Sequence, residues 1–154
     1  EIIRRYYDSL RRLLEGACAD AEVYKTEMLM NQAGITVHAR PVADTALQWA
    51  KDTRAPAAAL QLHDGRMITG KTSNLLGASA ALLLNSLKVL ADIDHERHVI
   101  SPEAIEPIQK LKTQYLGSKN PRLHTDEVLI ALYVSAATDP TAQQALDQPP
   151  NLKG

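Results

Sequence analysis

The sequence has no phenylalanine, one tryptophan and one cysteine, and no long uninterrupted apolar stretch. The lone thiol of Cys18 excludes an internal disulfide framework and a zinc cluster built on several cysteines. Polar residues break up the most apolar segment, residues 75–90, so that no segment is long enough to span a bilayer, and no signal-peptide pattern precedes it. We therefore expect a cytoplasmic protein with an aliphatic core and no membrane partner.

Neither sign of charge dominates the chain, which has 17 Lys and Arg, 18 Asp and Glu, and a net charge of −1. Its one basic cluster, Arg4, Arg5, Arg11 and Arg12, has acidic neighbours on the same predicted helix. Binding to a phosphate backbone requires a concentrated basic stripe, which this cluster does not form. We interpret it as a solvated helix face and expect no nucleic-acid partner.

The start of the chain has helical periodicity. Apolar residues recur with a period near 3.6 over residues 2–14, and Gly16 is placed to end that helix. Asp20 is the expected N-cap of a second helix, which Gly34 ends. We predict that the two helices form a hairpin and that residues 1–36 are an N-terminal helical segment.

Residues 37–154 have the pattern of an α/β domain. A proline in the first turn starts a predicted helix over residues 41–53. Two short apolar runs, residues 57–62 and 67–69, flank an Asp-Gly turn at residues 63–66, which is a strong signal for a β-hairpin. The sequence therefore predicts an antiparallel pair of strands directly after this helix.

The elements after the hairpin are mainly helices. The apolar residues 98–100 predict a short buried strand, and Ser101 is the expected cap of the helix that follows it. The predicted fold is helix-rich α/β, with a small mixed sheet covered by helices on both faces. Three strands leave an edge exposed, so we expect further strands C-terminal to Gly154. The helices expected after the hairpin are residues 74–91, one from Pro102 that ends at Gly117, one from Thr125 or Asp126 to Ala136, and a short one from Asp139.

Residues 65–72, GRMITGKT, match the phosphate-loop pattern and support two interpretations. A phosphate loop needs successive backbone amides that curl around the anion, whereas the bulky interior RMIT favours an extended strand. We favour a hairpin whose second strand ends at Gly70. A narrower hypothesis remains, in which the start of the next helix binds a phosphate group. Its candidate residues are Lys71, Thr72, Ser73 and Asn74.

Two polar stretches are further candidates. The sequence HERH at residues 95–98 spaces its histidines three apart rather than four, so we expect a surface loop and no zinc site. The loop at residues 119–127, KNPRLHTDE, precedes a helix and contains cations, an imidazole and carboxylates. His124 and Asp126 are candidate catalytic groups, because imidazole transfers protons near neutral pH. The alternative is a polar loop that caps the helix. The candidate anion ligands in this loop are Lys119 and Arg122.

Residues 100–106, ISPEAIE, resemble one half of the cytidine-deaminase zinc signature. That signature has a strand followed by Pro-Cys-x-x-Cys at the start of a helix, and Glu103 and Glu106 stand here in place of the cysteines. The other half, His or Cys followed by Ala-Glu, has no counterpart in residues 76–80, LGASA. Because the order of elements is also similar, the resemblance implies a cytidine-deaminase-like scaffold without its zinc ligands, and we expect no metal and no cofactor.

Several short motifs are spread over the whole chain: EIIRRYY at the start, LMNQAG at residues 29–34, DGR and GKTS within residues 64–73, LLGAS at residues 75–79, ISPE at residues 100–103 and NPRLHTDE at residues 120–127. These motifs resemble uncharacterised bacterial protein family 0371, which contains the domain of unknown function 1846. The resemblance implies that the chain is a C-terminal-half segment of a longer protein, whose remainder is its first partner. It assigns no activity and no catalytic residues.

Two functional hypotheses follow from the sequence. In the first, the chain is a zinc-free, deaminase-like scaffold or a subunit-interaction domain, with a second copy of itself as a further candidate partner. In the second, it is part of an enzyme that binds a phosphorylated or nucleotide substrate at the helix start after Gly70. The second hypothesis requires the segment 71–74 and the loop 119–127 to meet in space.

Overall fold

The computed structural model describes residues 1–153, and the chain divides into two compact units, Glu1–Asp44 and Thr45–Gly154. The first unit contains helix α1 (Ile2–Leu14) and helix α2 (Asp20–Gln32), which pack on each other as the predicted hairpin. Asp20, the expected N-cap, is instead the first residue of α2, because the extended backbone of Ala19 already leads into the helix. A short 3₁₀ turn (Val37–Ala39) follows α2.

Helix α3 (Pro41–Thr53) has the predicted bounds and leads to the hairpin. Strands β1 (Ala57–Gln61) and β2 (Met67–Lys71) pair antiparallel, with Ala57 opposite Lys71 and Gln61 opposite Met67. Gly65 has a φ of +87°, a left-handed conformation that glycine adopts without steric cost and that completes the turn. The phosphate-loop interpretation is therefore wrong, because most of its residues lie in an extended, paired strand rather than in a loop around an anion.

Helix α4 (Ala78–Leu90) packs against this hairpin. The approach is close at Gly70, where an added Cβ would lie 2.2 Å from the backbone nitrogen of Leu82, so that any larger residue would displace the helix. The Asn85 amide donates a hydrogen bond of 2.9 Å to the carbonyl oxygen of Thr69. The hairpin and α4 therefore pack closely as two adjacent layers.

The C-terminal part is helical. It comprises α5 (Pro102–Lys110), which continues as a π-helical turn (Leu111–Tyr115), then α6 (Thr125–Ala136), α7 (Pro140–Leu146) and a 3₁₀ turn (Pro149–Leu152). The main core lies among α4, α5, α6 and α7 and is aliphatic, as the composition predicts. Its most deeply buried large side chains are Leu87, Leu123, Val128 and Leu132.

Two predictions about the sheet are wrong. Residues 98–100 form no strand; Val99 and Ile100 are buried in the core from an irregular segment, and a short apolar run alone does not distinguish these cases. Within residues 1–153 the sheet has two antiparallel strands rather than three mixed ones, and α4 is the helix that packs extensively on it, so the expected cover on both faces is not formed. The helix-rich α/β class is confirmed.

Candidate functional site

The segment after β2 and the loop before α6 lie side by side. Leu76 and Leu123 form an isolated parallel bridge, in which the Leu123 amide donates to the Leu75 carbonyl oxygen at 2.8 Å. The Nε atom of Arg122 donates to the Ser73 carbonyl oxygen at 2.6 Å. The two loops therefore meet, as the phosphate-binding hypothesis requires. We call residues 71–76 and 118–124 the loop junction.

The first half of the loop junction differs from the predicted anion site. Helix α4 begins at Ala78 rather than near Asn74, so the candidate residues precede the helix instead of forming its first turn. The Ser73 hydroxyl accepts from the amides of Leu75 and Leu76, at 3.2 and 3.0 Å, and the Thr72 amide donates to the Pro56 carbonyl oxygen. Because these backbone amides are used within the protein, they are not free to surround a phosphate group.

The candidate side chains of this half are otherwise accessible. Lys71 ends β2 and is exposed, and Asn74 is exposed in the turn. No carboxylate lies within 4.0 Å of the Lys71 ammonium in the described part of the chain. Lys71 therefore remains available as a cation, whereas Thr72 and Ser73 contribute mainly through backbone and turn hydrogen bonds.

The second half of the loop junction is tied together by its own side chains. The Asn120 side-chain oxygen accepts from the Arg122 amide at 3.1 Å, and the Asn120 side-chain nitrogen lies 3.3 Å from His124 Nε2. His124, rather than Thr125 or Asp126, occupies the N-cap position of α6, because its extended backbone turns directly into the helix. Thr125 and Asp126 are thus first-turn residues.

A cleft of about 330 Å³ lies beside this loop. His124 and Asp126 both line it and are both exposed, so the structure brings the two candidate catalytic groups to one surface. Imidazole and carboxylate side chains on one cleft are the residue types that general acid–base catalysis uses. Lys119 and Arg122 do not line this cleft. The full lining is Lys112, Leu116, Ser118, Asn120, His124, Asp126 and Glu127.

Lys112 is a cleft residue that sequence analysis missed. It is only 7% exposed, and its Nζ atom donates to Glu127 Oε2 at 2.7 Å and to the Arg122 carbonyl oxygen at 2.5 Å. The same Glu127 oxygen accepts from the His124 amide at 2.7 Å. No local pattern marks this lysine, because its burial depends on how the α5 helix meets the loop junction. The pair fixes the loop that carries the candidate site.

The positions that resemble the deaminase signature lie in the first two turns of α5. Glu103 and Glu106 are exposed, and Glu106 accepts from Lys110 at 2.6 Å. That hydrogen bond and the nearby positive charge hold the pKa of the Glu106 carboxyl below its usual range. Residues 95–98 lie in an exposed loop, as predicted. Across residues 1–153, no group of three His, Cys, Asp or Glu side chains is placed to hold a metal ion.

Comparisons with known proteins give consistent results. Residues 38–154 match the family described as domain of unknown function DUF1846, C-terminal. Over 154 residues the chain is 57% identical to a UPF0371 protein of Corynebacterium aurimucosum and 48% identical to one of Streptococcus pyogenes serotype M5. The matches cover 100% of this chain and 31% of each of those proteins, so the chain spans about a third of the length of these relatives.

Proposed function

We propose that this chain, which belongs to the DUF1846 C-terminal domain family, acts as an interaction domain that packs against the rest of a longer protein. The observation that carries the proposal is an exposed apolar face on α6. Ile130, Tyr133 and Val134 are 59%, 71% and 54% exposed, although they lie in a helix whose other side is fully buried. The compared relatives are longer than this chain, and we propose that the additional part of such a protein covers this face.

The pattern of α6 is typical of a helix that is buried all round. Val128, Ala131 and Leu132 have no exposed surface, whereas Ile130 and Tyr133 lie on the opposite side. Spacings of three and four residues place the exposed residues on one stripe. A helix that is apolar on every face is normally covered by protein on every face. The exposed stripe of α6 therefore has the character of a docking surface.

The chemistry of the stripe favours an apolar partner surface. The sequence from Val128 to Ala136 contains no charged residue, so the stripe offers no ion pair to an approaching chain. None of the helices within residues 1–153 has the length and apolar character needed to cross a membrane. The rest of the longer protein is the occupant we propose, because the compared relatives extend well beyond the matched region.

The test is a substitution in the full-length protein. If the stripe is covered, Tyr133→Ala removes a buried aromatic ring and lowers the free energy of unfolding by about 3 kcal/mol. If it remains exposed, the change stays within about 0.5 kcal/mol, which would contradict the proposal. Gln144→Ala, at an exposed position of α7, is the control and should have the smaller effect. Light scattering on both variants separates the alternatives, since a loss of molar mass with Tyr133→Ala would assign the stripe to a second copy instead.

The finer architecture that we propose for this domain is a cytidine-deaminase-like scaffold without zinc. The order α3, β1, β2, α4 supports it, since a helix, an antiparallel hairpin and a second helix follow one another as in that fold. The carboxylates Glu103 and Glu106 at the signature positions also support it, because they are exposed and Glu106 is paired with Lys110. Elemental analysis of the purified full-length protein is the test. One zinc ion per chain that persists through dialysis would contradict the proposal.

A second candidate function is the binding of a phosphate-bearing small molecule at the loop junction. The contact between Arg122 and Ser73 favours it, because it joins the two segments that carry the candidate cations. In the described part of the chain, Lys71, Lys119 and Arg122 have no carboxylate within 4.0 Å. His124 and Asp126, on the neighbouring cleft, would then supply the proton-transfer groups.

The test is a thermal-shift titration of the full-length protein with inorganic phosphate and with ATP. We expect stabilisation that the double variant Lys71→Ala, Lys119→Ala loses, since both cations are exposed and neither forms an ion pair with another residue of the range 1–153. The charge-matched control also removes two exposed cations, through Lys51→Ala in α3 and Arg66→Ala in the turn at the other end of β2, where Arg66 pairs with Asp64. Equal shifts for the double variant and the control, or no shift for the unmodified protein, would contradict phosphate binding at the loop junction.

A further inference from the structure

A second cleft, of about 400 Å³, lies between α4, the irregular segment after it and the start of α5. Its lining has two parts. One wall is apolar and is formed mainly by Leu76, Leu84, Val99, Ile100 and Ile105. The other side is basic, with Lys88, His95, Arg97 and His98. This volume is sufficient for a small organic molecule, and the lining combines an apolar surface with a few polar groups, as ligand sites do.

Lys88 is the buried charge of this cleft. It is 6% exposed, and its Nζ atom donates a hydrogen bond to the carbonyl oxygen of His95. Among residues 1–153 no carboxylate lies within 4.0 Å of this ammonium group. An ammonium has three N–H donors, and a buried charge is costly without a counter-charge. Lys88 therefore has unused capacity for an anionic partner.

The other charged groups around the cleft do not neutralise Lys88. Asp94 and Glu96 act on it from a greater distance and raise its pKa, but burial outweighs them and lowers the pKa below the usual lysine range. The Arg97 guanidinium is paired with Asp139 at 3.2 Å. His95 and His98 are exposed at the rim. The unpaired positive charge is thus at Lys88, next to the apolar wall.

We propose that this cleft binds a small organic acid, with its carboxylate on Lys88 and its hydrocarbon part against the apolar wall. One buried ammonium matches a single negative charge. A doubly charged phosphate group would match it less well. The carboxylates of Asp94 and Glu96 lie near enough to act on Lys88, and they would repel the second negative charge. The site has a different charged centre from the phosphate site proposed at the loop junction, although Ser73, Leu75 and Leu76 border both. It does not depend on either proposed function.

A ligand-observed NMR titration of the full-length protein tests this site. The probes are hexanoate, hexanol and hexyl phosphate, which share one hydrocarbon chain and differ in charge. We expect hexanoate to bind about tenfold more tightly than hexanol, because a charge-assisted hydrogen bond is stronger than a neutral one, and Lys88→Met to remove that preference. Lys51→Met changes an exposed lysine of α3 and is the control, which should bind hexanoate as the unmodified protein does.

Three outcomes would overturn the proposal. Hexanol binding as tightly as hexanoate would show an apolar cleft that does not use the charge. Hexyl phosphate binding more tightly than hexanoate would assign the cleft to phosphate esters. Absence of hexanoate binding would also overturn it, and an accompanying loss of stability in Lys88→Met would assign the Lys88 ammonium to a carboxylate elsewhere in the longer protein.

Discussion

The two buried lysines of the second unit, Lys88 and Lys112, have similar burial and different surroundings. They are 6% and 7% exposed. Lys112 donates to the Glu127 carboxylate at 2.7 Å and to the Arg122 carbonyl oxygen, so its charge is balanced within the protein. Lys88 has a single backbone acceptor, the carbonyl oxygen of His95. Two lysines of similar burial can therefore have different roles. What distinguishes them is whether a carboxylate lies within ion-pair distance of the ammonium.

The Lys112 network has a structural task. It joins the π-helical turn after α5 to Arg122 in the loop junction and to Glu127 in the first turn of α6. The Glu127 carboxylate also accepts a hydrogen bond from the amide of His124 and so helps to cap the N-terminus of α6. Through these bonds one ion pair positions the loop that carries His124.

The largest effect is expected at Glu127. Glu127→Ala leaves the Lys112 ammonium without its counter-charge and removes the hydrogen bond to the His124 amide, so we expect the free energy of unfolding to fall by about 3 kcal/mol. Urea denaturation of the full-length protein measures it. Glu127→Gln keeps an acceptor at the same place and should lose less. A change below about 0.5 kcal/mol in Glu127→Ala would show that the Lys112 pair is not structural.

A smaller effect of opposite sign is expected at Lys88. Lys88→Met replaces a buried ammonium by an unbranched apolar side chain, and within residues 1–153 it takes no ion-pair partner from a carboxylate. We expect the free energy of unfolding to rise by about 1 kcal/mol in the absence of ligand. Lys112→Met is the matched control and should lose stability, because it leaves Glu127 unpaired. If both substitutions destabilise the protein equally, the two lysines do not differ in the way the structure indicates.

Local sequence signals predicted most of the fold. The apolar period of α1, the proline that begins α3 and the Asp-Gly turn between β1 and β2 each depend on neighbouring residues, and all three elements are present as predicted. Gly65 is the clearest case, because its left-handed conformation satisfies the turn that its position indicates. The predicted ends of helices are less accurate where a tertiary contact decides them. Helix α4 begins at Ala78 rather than near Asn74, because Leu76 is paired with Leu123 in an extended conformation.

The features that depend on distant residues were not predictable in the same way. Val99 and Ile100 have the composition of a buried strand, but they fill the core without a neighbouring strand to pair with. The candidate loop at residues 119–127 was identified from its mixture of charges, whereas Lys88 and Lys112 were not, because each lies in a helix where lysine is ordinarily exposed. Their burial follows from how helices and loops pack.

The smallest expected effect is a pH dependence. It concerns the difference in the free energy of unfolding between Lys88→Met and the unmodified protein. Burial lowers the pKa of Lys88 in the folded protein below its ordinary value of 10.5, and the unfolded chain titrates near that value. Between the two pKa values the unfolded chain binds more protons at this position, so the stability of the unmodified protein rises with pH. The advantage of Lys88→Met is therefore complete below the folded pKa and shrinks as the pH approaches 10.5.

Urea denaturation of both proteins from about pH 7 to about pH 10 measures this change, which should stay within about 1 kcal/mol. The charged and titratable groups around Lys88 are Asp94, His95, Glu96, Arg97 and His98. Both proteins contain these groups, so their own contribution largely cancels in the difference, which reports on the ammonium. A stability difference that stays constant across the range would mean that the Lys88 ammonium is as well satisfied as that of Lys112, and the contrast between the two lysines would not hold.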